Sequence, residues 1–263
     1  MTFDRYFRFD DPDEKPLEHL APDGGYTAIL RSVGCIGDSL SSGEFESLDE
    51  NRNKGYHDMF EYSWGQFLAR ECGLTVYNFS RGGMTAKEYM ESFAEANGFW
   101  DPALVCRAYI LALGVNDIIN AGQPLGSVAD IDPADWRNNK KTFAGYYAAI
   151  VQRLKALQPE ARFFFVSMPK DENGAKCPGH TALLYDLTRV FDHSYVIDLD
   201  AYAPPNDEAF RDRFYMGGHL NAAGYLLAAK QMGSYIDWII RHNTDDFRKI
   251  GFVGTGLDNV EYD

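Results

Sequence analysis

The chain has 263 residues, 45% hydrophobic and 24% charged, a globular composition that excludes disorder, collagen and coiled coil. With 25 basic against 39 acidic residues the formal charge is −14. No basic run exceeds the Lys140-Lys141 pair, so neither nucleic acid nor an anionic membrane finds an electrostatic footprint.

The first twenty residues carry Asp4, Asp10, Asp11, Asp13 and Glu14 without an apolar stretch, which does not fit a signal peptide. Residues 1–30 read as an N-terminal arm, with one strand-like patch at Tyr6–Phe9 and a turn at Gly24-Gly25. Five short apolar runs follow: Ser32–Ile36, Leu74–Phe79, Ala108–Leu113, Arg162–Ser167 and Tyr195–Leu199. They are continuously hydrophobic, as strands buried on both faces are. The third is the longest apolar stretch and is far short of the ~20 residues that span a bilayer. Helix-length segments lie between the runs, at Tyr62–Glu71, Ala86–Ala96, Asn138–Leu157 and Thr181–Phe191, with a last helix over Ala222–His242 capped by Asn221. This alternation predicts one α/β domain over residues 31–242, a doubly wound parallel sheet with right-handed crossovers. Residues 243–263 read as an irregular C-terminal tail. Cys35, Cys72, Cys106 and Cys177 show no paired spacing, and the expectation is a reduced, cytoplasmic protein.

In open α/β sheets ligands bind beyond the carboxyl ends of the strands, so the residues just after each run matter most. After the first comes Gly37-Asp38-Ser39-Leu40. A Ser on such a strand-to-helix turn is exposed as a nucleophile, or else Asp38 and Ser39 simply cap the next helix; the tetrapeptide leaves both open. The second run ends in Asn78-Phe79-Ser80-Arg81-Gly82-Gly83-Met84-Thr85, whose glycines allow close backbone approach or an ordinary turn. The third ends in Gly114-Val115-Asn116-Asp117. Asn116 can donate its amide to an oxyanion or serve as a turn residue, and Asp117 reads as a cap for the next segment of chain. His219, in Met216-Gly217-Gly218-His219-Leu220-Asn221, sits between two glycines and a helix start, a place suited to a cleft rather than to a core. Cys177 and His180 resemble half a zinc site with no second pair to complete it, so no metal is expected.

Ser39, Gly83, Asn116 and His219, in that order on consecutive strand ends, resemble the four marker residues of the SGNH, or GDSL, hydrolases. The resemblance covers roughly residues 32–242 and is most specific at Gly37–Leu40 and Gly114–Asp117. It implies a three-layer α/β/α fold with a five-stranded parallel sheet in the flavodoxin-like order 2-1-3-4-5. It also implies hydrolysis of an ester, or a thioester, through an acyl-enzyme on Ser39, with His219 as base. The N–H groups of Ser39 and Gly83 and the amide of Asn116 would form the oxyanion hole, and no cofactor is required. The family's last block is usually Asp-x-x-His, and here the Asp position is Met216, whose thioether cannot accept from an imidazolium N–H. The candidates to orient His219 are then the main-chain carbonyl of Met216, Asp212 as second choice, and Asp198 or Asp200.

The expected partner is a small-molecule ester, with acetyl on a carbohydrate as the favoured case. Residues 44–62 read equally as a pocket wall or as a solvated loop. Two other classes compete: a non-catalytic carbohydrate- or partner-binding protein of the same fold, and a nucleotide- or flavin-binding protein. The second lacks any G-x-G-x-x-G or P-loop glycines after a strand. The oligomeric state stays open.

Overall fold

Each of the five apolar runs pairs with its neighbours through parallel ladders in the computed structural model, which describes residues 11–258 and residue 260. The Tyr6–Phe9 patch lies outside the described residues. In chain order the strands are β1 (Ser32–Gly37), β2 (Glu44–Leu48), β3 (Lys54–Asp58), β4 (Thr75–Asn78), β5 (Ala108–Ala112), β6 (Arg162–Val166), β7 (Ser194–Ile197), β8 (Tyr215–Met216) and β9 (His219–Leu220). The central sheet runs β4-β1-β5-β6-β7, the 2-1-3-4-5 order. The carboxyl ends of β4, β1 and β5 therefore stand side by side where the winding reverses.

The helices are α1 (Ser39–Ser42), α2 (Trp64–Cys72), α3 (86–96), α4 (Phe143–Leu157), α5 (Pro178–Thr188), α6 (Glu208–Phe214) and α7 (Ala222–His242). Alternation along β6 serves both faces of the sheet. Phe163 and Phe165 pack with Tyr89, Phe143, Tyr147 and Leu184 from α3, α4 and α5. Phe164 packs on the other side with Trp64, Leu68, Tyr235 and Ile236 from α2 and α7. Each such buried side chain contributes roughly 1.5–3 kcal/mol of transfer free energy, and the result is a three-layer α/β/α sandwich.

Caps set where helices begin. The segment expected from Tyr62 starts at Trp64 because the Ser63 side chain accepts from Gln66 N at 3.2 Å. The one expected from Asn138 starts at Phe143, capped by Thr142, while residues 136–138 form a separate turn. The segment expected over Thr181–Phe191 is α5, three residues earlier, with Pro178 at its first position, where a missing N–H costs nothing. The last runs over Ala222–His242 as read, with Asn221 accepting from Gly224 N at 2.9 Å.

Residues 14–30 lie against α7: Thr27 Oγ1 donates to the Gly233 carbonyl at 2.8 Å, and Glu14 and Asp237 together grip Arg241. Residues 244–253 return to the body, where Phe247, Ile250 and Val253 are buried. The largest departure is the β2–β3 hairpin, pairing Glu44–Leu48 with Lys54–Asp58 where the sequence suggests a wall or a loop. Its cause is an alternation of period two: Phe45 packs on Tyr225 and Tyr62 at ring distances of 5.5 and 5.8 Å, so Glu44 and Glu46 point the other way. No helix among the described residues is long and apolar enough to cross a membrane.

Candidate active site

Ser39 is the first residue of α1, a single turn at the end of β1. Asp38 is its N-cap, extended at φ −101° and ψ −151°, and its carboxylate accepts from Leu40 N at 3.1 Å. The two readings of the tetrapeptide are thus compatible: Asp38 caps, and Ser39 is left half-buried with its hydroxyl unclaimed by any hydrogen bond among the described residues. Gly83 occupies the turn that closes with Met84 N on the Arg81 carbonyl at 3.2 Å. Its φ of +72° is one that a side chain would strain, and no atom lies within 4 Å of where a Cβ would be, so open space borders it.

Asn116 joins these two loops. Its Nδ2 reaches the Met84 carbonyl at 3.2 Å and Asp38 Oδ2 at 3.4 Å, while Oδ1 accepts from Asn120 at 2.7 Å. The amide donor is thereby turned toward the ends of β1 and β4. Contrary to the expectation from sequence, Asp117 does not cap the segment that follows it; its Oδ1 instead accepts from Ala86 N, at the start of α3 and 31 residues earlier in the chain, at 2.8 Å.

His219 arrives from the far end of the chain on β9, which packs against α1. Its Nδ1 lies 2.9 Å from Glu46 Oε1 and its Nε2 lies 3.0 Å from Glu44 Oε1. None of the orienting groups expected from sequence, Met216, Asp212, Asp198 or Asp200, bonds the ring, whose partners are Glu46 and Glu44. Met216 pairs with His219 in the β8–β9 ladder, so its main chain faces the His219 main chain rather than the ring. Asp212 is exposed on α6, and Asp198 holds Ser167, Ala201 N and Tyr185. The glycine pair that might have folded the chain back toward Asp212 has another effect: a Cβ on Gly217 or Gly218 would lie 2.5 or 2.7 Å from the Glu46 carboxylate. Ser39 Oγ and His219 make no hydrogen bond, because Glu44 faces the imidazole nitrogen that a serine would need.

The model of the GDSL-like lipase/acylhydrolase family matches residues 35–227, from inside β1 to the start of α7. The chain belongs to that family, whose members are ester-cleaving hydrolases. Solved structures show the same fold. A Lactobacillus plantarum protein is 18% identical, with a TM-score of 0.56 over 79% of this chain and 97% of that one. A family two carbohydrate esterase from Clostridium thermocellum, in complex with cellohexaose, is 16% identical at a TM-score of 0.55, covering 89% of this chain and 66% of that one. A Corynascus thermopiles family two carbohydrate esterase with its carbohydrate binding domain is 16% identical at 0.54, over 78% and 65%. The chain spans about two thirds of the length of these two esterases. No relative is found among curated proteins.

Two kinds of electrostatics meet at this GDSL site. Burial pushes the Asp38 carboxyl up to about 6 against its hydrogen bond from Leu40, and burial likewise raises Asp117 to about 6. Glu46 moves the other way: the Lys54 ammonium, 3.0 Å from its Oε2, leads in pulling it to about 2, with His219 and the Gly218 N–H adding to the effect. Beside α1 lies a cavity of ≈ 120 Å³, walled by Leu40, Leu113, Val115, Met168 and Met232, with Asp38 at its edge. His180 is a core residue whose Nε2 donates to the Leu113 carbonyl at 3.2 Å, and burial lowers it to about 4.

Glu44 and Glu46 escaped the sequence reading. The signal that would have found them is the Glu-Phe-Glu alternation itself, which puts two carboxylates on one strand face immediately after the Ser39 turn.

Proposed function

We propose that this hydrolase cleaves a carboxylic ester of a small acyl group through an acyl-enzyme on Ser39. Ser39 Oγ attacks the ester carbonyl while His219 Nε2 takes its proton, and the tetrahedral oxyanion collapses with return of that proton to the leaving alcohol. Water then attacks the acyl-enzyme by the same route, releasing the acid and free Ser39. The N–H groups of Ser39 and Gly83 and the amide of Asn116 hold the oxyanion, each donor worth roughly 3 kcal/mol. The observation that supports this reading is that Ser39, Gly83 and Asn116 follow three adjacent strands, with the Asn116 amide reaching Asp38 beside Ser39 and Met84 beside Gly83.

The exposed Tyr56 ring, edge-on to His219 at 6.1 Å, is a flat face that suits a sugar ring, and two fold neighbours are carbohydrate esterases.

The test is Ser39→Ala, assayed on 4-nitrophenyl esters from acetate to octanoate and labelled with a fluorophosphonate. Wild type is expected to favour the shortest acyl chains and to take up the label, and the variant to fold normally while losing nearly all turnover and labelling. Turnover near that of wild type in Ser39→Ala would end the proposal.

A further inference from the structure

We infer that Glu46, 173 residues before His219 in the chain, is the carboxylate that positions the catalytic imidazole in place of the Asp the family carries three residues before its His. The inference rests on the serine-esterase reading above. A His that is to act as base through Nε2 needs its Nδ1–H held by an acceptor, which fixes the tautomer and the ring plane and stabilises the imidazolium that forms. Glu46 Oε1 stands 2.9 Å from Nδ1, and the same oxygen accepts the Gly218 N–H at 2.7 Å, so ring and main chain of the His219 turn are located by one atom. Oε2 accepts from Lys54 Nζ at 3.0 Å on the paired strand. Three donors from two segments, β3 and the Gly217–His219 turn, leave this carboxylate one geometry. Its side chain is only 10% exposed, so the charge is little screened by water.

Packing of the turn agrees. Gly217 has a φ of +73°, and a Cβ at either glycine would enter the space that the Glu46 carboxylate fills. The Met216-Gly217-Gly218-His219 sequence is therefore adapted to a carboxylate delivered from outside the turn. Other charged groups facing His219 act on different atoms: Glu44 meets Nε2, and Asp58 and Asp38 neighbour Glu44 and the Ser39 turn. None of them reaches Nδ1.

Glu46→Gln tests this on the full chain with 4-nitrophenyl acetate, beside Ser39→Ala. Gln keeps one acceptor oxygen for the Gly218 N–H and the imidazole, removes the charge, and puts an NH2 where Oε2 accepts from Lys54. The expected result is a kcat lower by about 10²- to 10⁴-fold, with KM within ~3-fold and the melting temperature nearly unchanged. Glu46→Asp, which keeps the charge but draws it back by one methylene, should lose about 5- to 50-fold in kcat at constant KM. A purely structural tie between the two hairpins would instead raise KM and lower the melting temperature while sparing kcat, and that outcome overturns the inference. So does a kcat within ~2-fold of wild type for either variant while Ser39→Ala is inactive. Activity surviving in Ser39→Ala would fault the serine reading, a separate result.

Discussion

Asp38 and Asp117, at the strand ends, and Glu46, on the β2–β3 arm, are carboxylates of one site held in opposite ways. The first two are buried among main-chain donors, and burial dominates them, raising each to about 6. Glu46 sits under a strand of side chains, and an ammonium dominates it, lowering it to about 2. The strand-end groups are fixed because the sheet desolvates them, at a cost to the ionised form; the arm is fixed because its charges are matched. The proposed oxyanion donors belong to the first region and the orientation of His219 to the second. A donor to a developing charge gains from a dry, rigid frame, whereas a base that must turn over protons gains from a permanent counter-charge.

The largest expected effect that breaks this comparison open is at the rigid end. Asn116→Ala should lower kcat by ~100-fold or more with little change in KM, since its bond to the oxyanion strengthens mainly in the transition state. Steady-state kinetics on a nitrophenyl ester decides it, and a rise in KM alone would make Asn116 a binding residue. The next effect concerns stability. A carboxyl raised from about 4 to about 6 binds more protons folded than unfolded across that window, so stability falls as pH rises from ~4 to ~6, by up to about 3 kcal/mol per group. Glu46 has the opposite sign, contributing stability above its unfolded value that is lost only as pH falls toward about 2. Asp117→Asn keeps the acceptor for Ala86 N and removes one titrating group. Urea unfolding at pH 4.5 and 7 should show Asp117→Asn losing less stability than wild type over that interval, by about 2 kcal/mol, and an unchanged pH dependence would sink the assignment.

How much of this was legible in the sequence divides along the same line. The strand runs could be read because each is a continuous apolar stretch. The sheet order and the choice of Ser39, Gly83, Asn116 and His219 came instead from the resemblance to the SGNH hydrolases, since each local signal alone left two readings open. Helix starts moved by a few residues because Ser63, Thr142 and Pro178 decide them individually. What orients His219 could not be read from the last block, because its partner lies 173 residues away and meets it only once Phe45 has packed on Tyr225. Glu44–Asp58 is rich in charges and short of apolar residues, so its composition outweighs its alternation. A hairpin whose buried face is a single Phe leaves little trace in hydrophobicity.

The smallest effect expected is at Glu44, and it sharpens the contrast between the two carboxylates on one strand. Glu46 meets the imidazole nitrogen that needs an acceptor, whereas Glu44 meets Nε2, the nitrogen that Ser39 must reach. Burial raises Glu44, and the like charges of Asp58 and Glu46 add to this while His219 opposes it, so this carboxylate is less firmly ionised than its neighbour. Its main chain is held, with the Tyr225 hydroxyl donating to the Glu44 carbonyl at 2.7 Å, but its side chain has no cation other than the imidazole among the described residues. Glu44 therefore competes with Ser39 for Nε2 and has to swing aside when an ester binds. Removing it should release the base: Glu44→Ala is expected to raise kcat/KM by about 3- to 10-fold, equivalent to roughly 1 kcal/mol of ground-state pairing, with the fluorophosphonate labelling rate rising in step. Glu44→Gln, which keeps a weaker contact, should fall between the two. If Glu44→Ala instead lost tenfold or more in kcat/KM, Glu44 would be gripping the substrate rather than shielding the base, and the two carboxylates of β2 would share one role.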